Sequence, residues 1–169
     1  MIVCYYSFMK PRLKAYYLFG KTPMPEELQG SIEAQIRLIS GIDSKEDTLR
    51  NAYDTISNRY VGGRLETFTR LHDLFSESVQ DIWNRTGFLH CTNQNYLLAL
   101  ILVKSGRFRA EDVQPKWTMI WYCSPHQYLR VRVGNDHWVD VDPWARHYGI
   151  SFGEHAKGFN TTLLRAVAK

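Results

Sequence analysis

The stretch HQYLRVRVGNDHWVDVD at residues 126–142 decides the fold, because it carries two runs of strand-forming residues on either side of a short polar break. The break, Gly134-Asn135-Asp136, has the composition of a three-residue hairpin loop. Such a loop would pair Val133 with His137. The sequence therefore predicts an antiparallel hairpin whose register is set by its loop.

This register sorts the hairpin residues into an apolar face and a polar face. The apolar face has two pairs: Val131 with Val139 and Leu129 with Val141. On the other face Arg130 lies opposite Asp140, an opposite-charge pair of the kind that stabilises sheets. A loop with one residue more or fewer would break both matches, because a one-residue shift sends side chains to the opposite face. Both matches therefore support the same register.

The polar face also brings a histidine towards an acid. In this register Tyr128 lies opposite Asp142, and His126 lies opposite Trp144, so His126 and Asp142 are diagonal neighbours. Diagonal neighbours lie about 7–8 Å apart at the backbone, within reach of a hydrogen bond between imidazole and carboxylate. We therefore expect His126 to bond to Asp142.

A cysteine stands at the start of the most apolar segment of the chain. Residues 92–104, TNQNYLLALILVK, are apolar on all sides from Tyr96 to Val103, and Gly106 is a suitable residue to end a helix. Cys91 immediately precedes this predicted buried helix. The free N–H groups and the dipole at a helix N-terminus favour a thiolate and can bind an oxyanion. Cys91 is therefore a candidate nucleophile.

The order of the remaining elements predicts an α+β domain, with helices first and strands later. A helix with Ile32, Ile36 and Ile39 would end near Gly41, and a second would start at Ser44, cap on Asp47 and run to Gly62-Gly63. A third fits the spacing of Phe68, Leu71, Leu74, Phe75, Val79 and Ile82. Trp117–Cys123 reads as a further strand. The predicted architecture is a nucleophile helix packed on an antiparallel sheet.

Composition limits the class of protein. The chain has 169 residues, 44% of them hydrophobic and 22% charged, which fits a single globular domain over residues 1–169. Its formal net charge is +4, but the basic residues are scattered and form no nucleic-acid motif, so we expect no nucleic-acid partner. No apolar run is long enough for a membrane span, and no secretory signal is evident. The odd cysteine count argues against a disulfide framework and favours the cytoplasm.

Three pieces of the sequence together resemble the transglutaminase-like superfamily. They are His90-Cys91 before the buried helix, the His-x-aromatic strand at 126–131, and WVDVDP at 138–143. TLRNAYDTISNRYVGG at 48–63 also resembles the helix that precedes the core of that family. The resemblance covers about residues 45–145. One departure is Trp144, which follows Asp-Pro where the family usually has Thr or a small residue.

The resemblance implies a papain-like fold and a catalytic triad of Cys91, His126 and Asp142. Large transglutaminases also carry calcium sites, but this chain has no recognisable calcium loop, so we expect no cofactor or metal. Cys91 would attack an amide carbonyl of a protein or peptide, His126 would act as base and acid, and Asp142 would orient the imidazole. Members of the family form a thioester and pass the acyl group to an amine or to water. We favour hydrolysis, because nothing in so small a chain obviously excludes water or selects an amine.

Several alternatives stay open at the level of sequence. The aromatic residues Tyr128, Trp138 and Trp144, together with Trp121, fit a substrate cleft or the core equally well. A catalytically silent domain that binds a peptide or protein is the alternative function. Two other residues compete for roles in the triad, His90 as base and Asp140 as acid.

The other cysteines and the oxyanion donor add further alternatives. A zinc site could use Cys123, His126, His90 and Cys91. Otherwise Cys123 and Cys4 are expected to be buried structural residues. Tyr60, Trp83 and Asn84 are candidates for a second oxyanion donor.

Overall fold

The computed structural model describes residues 13–18, 22–76, 78–121 and 123–161, and it has the expected α+β class. The helices are α1 (Ser31–Ser40), α2 (Lys45–Arg59), α3 (Arg64–Thr69), α4 (Val79–Asn84) and α5 (Cys91–Lys104). The strands are β1 (Lys14–Ala15), β2 (Tyr60–Val61), β3 (Phe75–Ser76), β4 (Gly87–Phe88), β5 (Val113–Ile120), β6 (Ser124–Arg132) and β7 (Trp138–Val141). Short 3-10 turns cover Leu71–Leu74, Ala110–Asp112 and Trp144–Tyr148.

The predicted hairpin and its register are confirmed. Strands β5, β6 and β7 form an antiparallel sheet in that order, and β6 pairs with β7 through Leu129–Val141, Arg130–Asp140 and Val131–Val139. The N–H of Val133 donates to the carbonyl of His137 at 3.0 Å and closes the expected loop. Nε of Arg130 donates to Oδ1 of Asp140 at 2.8 Å. The apolar and charged matches in the sequence were therefore sufficient to fix this sheet edge.

Helix α5 is the centre of the fold. Every residue from Thr92 to Leu102 is buried, and the helix packs against β6 and α2. Each fully buried leucine contributes roughly 1.5–3 kcal/mol relative to an exposed one. The first turn is held by polar contacts: Nδ2 of Asn95 donates to the carbonyl of Gln127 at 2.8 Å, and Nε2 of Gln94 donates to that of Leu89 at 2.8 Å. The N-terminus of α5 is thus fixed against strand β6.

The first two helices follow the sequence pattern closely. Helix α1 buries Ile32, Ile36 and Ile39 and ends at Gly41. Ser44 caps α2, since its hydroxyl accepts from the backbone N–H of Asp47 at 3.3 Å. Helix α2 ends before Tyr60, because Tyr60 and Val61 pair as strand β2 with Gly87 and Phe88 of β4.

The predicted third helix over 68–82 is wrong. Its apolar spacing is interrupted at Arg70, whose backbone leaves the helical region, and α4 then starts at a separate cap. The Ser78 hydroxyl accepts from the N–H of Asp81 at 3.2 Å, and the Asp81 carboxylate accepts from the N–H of Ser78 at 2.9 Å. This reciprocal cap stabilises a new helix start inside the periodic pattern. Phe68, Leu71 and Phe75 consequently lie exposed.

Within the described ranges, no helix is long and apolar enough to cross a membrane. The sequence-based expectations for the first twelve residues, including a buried Cys4, lie outside the described residues.

Candidate active site

His126 and Asp142 form a buried pair on neighbouring segments of the hairpin. Nε2 of His126 lies 2.7 Å from Oδ2 of Asp142, and both residues are almost completely shielded from solvent. The carboxylate also accepts two backbone hydrogen bonds, from Ala145 to Oδ1 at 3.1 Å and from Ala156 to Oδ2 at 2.9 Å. Asp142 is therefore held in one orientation with its negative charge directed at the imidazole.

The thiol of Cys91 is the second partner of the same ring. Cys91 is the first residue of α5 rather than the residue before it, and His90 is the N-cap. Cys91 and His126 line the same pocket, and the Cys91 side chain is among the groups that raise the pKa of the His126 ring. A carboxylate can only accept, so Nε2 carries a hydrogen and Nδ1 is the nitrogen left for the thiol. The structure thus brings together all three residues that the sequence singled out.

The surroundings of His126 favour the charged imidazole. Burial alone would lower the pKa of His126, but the Asp142 carboxylate and the hydrogen bonds to Asp142 and Cys91 outweigh burial and raise it well above its usual value. A ring that prefers to hold a proton can take one from the adjacent thiol. The arrangement therefore favours a protonated His126 ring beside the Cys91 side chain.

Cys91 and His126 open into a mostly apolar pocket of about 170 Å³. Its apolar wall consists of Phe68, Ile120, Trp121, Pro125 and Trp144. The Trp144 ring lies over His126 with a centroid distance of 4.9 Å. Trp144, proposed from the sequence as a substrate contact, thus stands at the reactive groups.

The structure does not bring the other two predicted substrate contacts to this pocket. Tyr128 lies on the same face of β6 as His126, but His155 stacks flat on its ring at 3.9 Å and covers it. Trp138 is at the loop end of the hairpin, beneath the guanidinium of Arg132 at 5.6 Å. Sharing a strand face with His126 therefore does not bring Tyr128 or Trp138 into the wall of this pocket.

The rival base and acid are engaged elsewhere. Nε2 of His90 lies 2.8 Å from the carbonyl of Arg70, and burial lowers the pKa of this histidine. Asp140 binds Arg130, as expected, and Oδ2 of Asp140 also contacts Nδ1 of His155 at 3.1 Å. Neither His90 nor Asp140 is available to the thiol.

The zinc alternative and the role expected for Cys123 do not hold. Across the residues that the structure describes, no three His, Cys, Asp or Glu side chains are grouped so that they could hold a metal ion. Cys123 is exposed and lies in the wall of the pocket rather than in the core. The reason is that strand β5 ends at Ile120, so Cys123 falls in the turn that follows.

None of the three residues suggested as oxyanion donors lies in the pocket wall. The Tyr60 hydroxyl is bonded to the carbonyl of Trp83 at 3.0 Å, and Nε1 of Trp83 donates to Ser31 at 2.9 Å. Asn84 accepts from Gln80 at 2.9 Å. These side chains are committed to the packing of the helices.

Sequence reasoning missed two donors that do lie in the wall. Nε1 of Trp144 is buried and has no hydrogen-bond partner in the described part of the chain, and Arg64 has no acidic partner there either. The sequence feature that could have indicated this part of the pocket wall is the glycine pair Gly62-Gly63. A Cβ at Gly62 would lie 2.3 Å from the carbonyl oxygen of Trp144 and 2.5 Å from its ring, so only glycine allows this approach. The glycine pair marks a segment that packs tightly against the site.

The assembled groups can perform nucleophilic catalysis: a thiol at a helix N-terminus, an imidazole that can take its proton, and a fixed carboxylate behind the imidazole. No protein-family model, curated protein or solved structure matches this chain.

Proposed function

We propose that this protein is a transglutaminase-like cysteine enzyme that acts on amide bonds through a thioester. Cys91 is the nucleophile, His126 is the general base and acid, and Asp142 orients the imidazole. The observation that carries the proposal is the buried His126 ring, which is held by Asp142 at 2.7 Å and lines the same small pocket as Cys91. A core cysteine would not need this arrangement at the mouth of a pocket.

The reaction follows from the positions of the protons. His126 takes the thiol proton on Nδ1, and the thiolate sulfur of Cys91 attacks the amide carbonyl carbon. The backbone N–H groups at the start of α5 would donate hydrogen bonds to the resulting oxyanion, and so would the indole N–H of Trp144, which has no partner among the described residues. His126 then gives its proton to the departing amine nitrogen, and the thioester forms as the C–N bond breaks.

The second half of the reaction regenerates the thiol. A water molecule or an amine gives a proton to His126 and attacks the thioester carbonyl, and the sulfur leaves and takes that proton back. We favour water, because Cys91 is only half-buried and the pocket is open to solvent. The proposed substrate is therefore a peptide or isopeptide amide, and no cofactor is required.

The arrangement of elements is also consistent with a papain-like core. The nucleophile begins a buried helix, and the histidine and the acid come from β6 and the segment after β7 of the sheet against which this helix packs. A cytoplasmic location would keep Cys91 reduced and active.

The test is site-resolved alkylation. The protein is treated with limiting iodoacetamide at pH 7, and each cysteine is quantified by peptide mapping, with exposed Cys123 as the internal reference. We expect Cys91 to react at least about tenfold faster than Cys123, and we expect His126→Ala to abolish the difference. Equal rates at the two cysteines in the wild-type protein would overturn the proposed nucleophile.

Turnover separates the enzyme from the silent alternative. The wild-type protein is incubated with a mixture of peptides, and Cys91→Ala is the matched control. Amide cleavage or amine incorporation that depends on Cys91 supports the proposal. Peptide binding without turnover, unchanged in Cys91→Ala, would favour the catalytically silent binding domain.

A further inference from the structure

Arg64 carries a positive charge in the wall of the pocket. It begins helix α3, and its guanidinium lies between two aromatic rings, 4.6 Å from the centroid of Trp121 and 4.7 Å from that of Tyr148. The backbone N–H of Arg64 donates to the Tyr148 hydroxyl at 3.1 Å. These contacts hold the guanidinium in place beside Cys91 and His126.

The charge of Arg64 is not neutralised by any acid in the described residues. It takes part in none of the ion pairs found there, and its Nε and Nη2 atoms are buried without a hydrogen-bond partner. The nearest acid along the helix, Glu66, lies with its carboxylate against Gly63 instead. A buried donor without a partner is unfavourable, so a ligand that supplies the missing acceptor is favoured.

We propose that Arg64 binds a carboxylate of the substrate, so that the enzyme selects amides with an acidic group near the attacked carbonyl. This inference rests on the proposed function and adds a substrate class to it. A guanidinium matches the two oxygens of a carboxylate better than any other side chain does. The apolar wall formed by Phe68, Trp121 and Trp144 would accommodate the hydrocarbon part of the same group.

His126 does not compete for this role. It is the other cationic side chain in the pocket wall, but it is already paired with Asp142 at 2.7 Å. Arg64 is therefore the residue that determines the charge of the ligand.

Binding is measured first, without turnover, in Cys91→Ala. The probes are 3-phenylpropionate and its neutral counterpart 3-phenylpropionamide, followed by tryptophan fluorescence. We expect the carboxylate to bind about tenfold or more tightly than the amide. Arg64→Met should remove this preference, and Arg64→Lys should retain part of it. Arg37→Met, which removes an exposed arginine on α1, should leave it unchanged.

Several outcomes would overturn the inference. Equal affinity for the two probes, or a preference that persists in Arg64→Met, excludes a carboxylate site at Arg64. Tighter binding of phenyl phosphate than of 3-phenylpropionate assigns the site to phosphate instead. Should Arg64→Met fail to fold, as judged by circular dichroism, the probe preference of Cys91→Ala and its weakening in Arg64→Lys decide the question.

Kinetics separate this inference from the proposed function. With matched acidic and neutral peptide amides, Arg64→Met should raise KM for the acidic substrate alone. An equal loss of kcat for both would show that Arg64 stabilises the oxyanion, which overturns the inference and leaves the nucleophile standing. A carboxylate preference without any Cys91 reactivity would support the anion site at Arg64 and contradict the proposed enzyme activity.

Discussion

Two histidine–aspartate contacts use acids that are two residues apart at the end of the hairpin. We call His126–Asp142 the inner pair and His155–Asp140 the outer pair, and only the inner pair borders the pocket that Cys91 lines. His126 and Asp142 are joined at 2.7 Å, and their side chains are 2% and 0% exposed. His155 and Asp140 are joined at 3.1 Å, and their side chains are 17% and 16% exposed. Distance alone distinguishes the two pairs poorly.

The difference lies in the other partners of each acid. Asp140 shares its charge with the guanidinium of Arg130 through two hydrogen bonds, at 2.8 and 3.2 Å. Asp142 has only backbone N–H groups besides His126, so the imidazole is its one cationic partner among the described residues. A carboxylate without a competing cation exerts its full effect on the ring it touches. The inner pair therefore favours a protonated His126 ring, whereas the acid of the outer pair joins Arg130 and His155 at the edge of the sheet.

Removing each histidine should give the largest contrast. In His126→Ala the thiol loses its proton acceptor. We expect the rate of Cys91 alkylation at pH 7 to fall to that of Cys123, and any amide turnover to fall by about 10²–10⁴-fold. In His155→Ala, which keeps the inner pair, both rates should stay within about twofold of wild type. Comparable losses in the two variants would refute the assignment of separate roles.

The pH dependence of stability should also differ between the two acids. Because the folded-state pKa of His126 is raised above its unfolded value, the stabilisation it gives is fully present below about pH 6.5 and is lost as pH rises through the folded pKa. The unfolding free energy should therefore decrease with pH above 6.5, by at most about 1.4 kcal/mol per pH unit for this one proton.

Asn substitutions assign that slope to one pair. In Asp142→Asn burial is no longer opposed by the carboxylate, so the pKa of His126 falls and the decline above pH 6.5 should disappear. Asp140→Asn should keep the slope. Urea unfolding at a series of pH values between 6 and 10 measures all three proteins, and a slope that persists in Asp142→Asn would contradict the attribution.

The sequence could predict contacts between adjacent strands, but it could not predict contacts between segments that are distant along the chain. The register of β6 and β7 was readable because Val131–Val139 and Arg130–Asp140 lie on adjacent strands and match independently of the rest of the fold. The position of His126 and Asp142 followed from that register. The start of α5 was also predictable to the neighbourhood of Cys91, because so long an apolar run is expected to form a buried helix.

The segment before the nucleophile was not readable in this way. Phe68, Leu71 and Phe75 had helical spacing but are exposed, because the helix ends at Arg70 and the Ser78 cap starts a new one. Arg64 joins the pocket through Trp121 and Tyr148, which are far away in sequence, and no local pattern encodes such contacts. The pairing of His126 with Asp142 was thus predictable from the sheet, whereas the pocket beside them required the tertiary structure.

The close contact between Gly62 and Trp144, whose ring lies over His126, should not tolerate an added methyl group. Gly62→Ala places a Cβ 2.3 Å from the Trp144 carbonyl, so the loop or the indole over His126 must shift, at a cost of about 1–3 kcal/mol. Gly41→Ala is the matched control, since its Cβ would meet only the Leu38 carbonyl at 3.5 Å. Urea unfolding and Cys91 alkylation should both change in the first variant and stay near wild type in the second.

The smallest effect is expected at the ion pair between Arg130 and Asp140, the acid of the outer pair. Arg130 is 43% exposed, so its ion pair with Asp140 is screened by water and contributes about 0.2–1 kcal/mol. A double-mutant cycle with Arg130→Met and Asp140→Asn should give a coupling energy in that range and leave Cys91 reactivity unchanged. Asp140→Asn also weakens the contact of Asp140 with His155, whose ring stacks on Tyr128. The cycle is therefore repeated in a His155→Ala background, so that this second contact does not enter the coupling energy. A coupling energy above about 2 kcal/mol, or a change in Cys91 alkylation, would mean that the outer pair supports the inner one and that the two pairs act as one network.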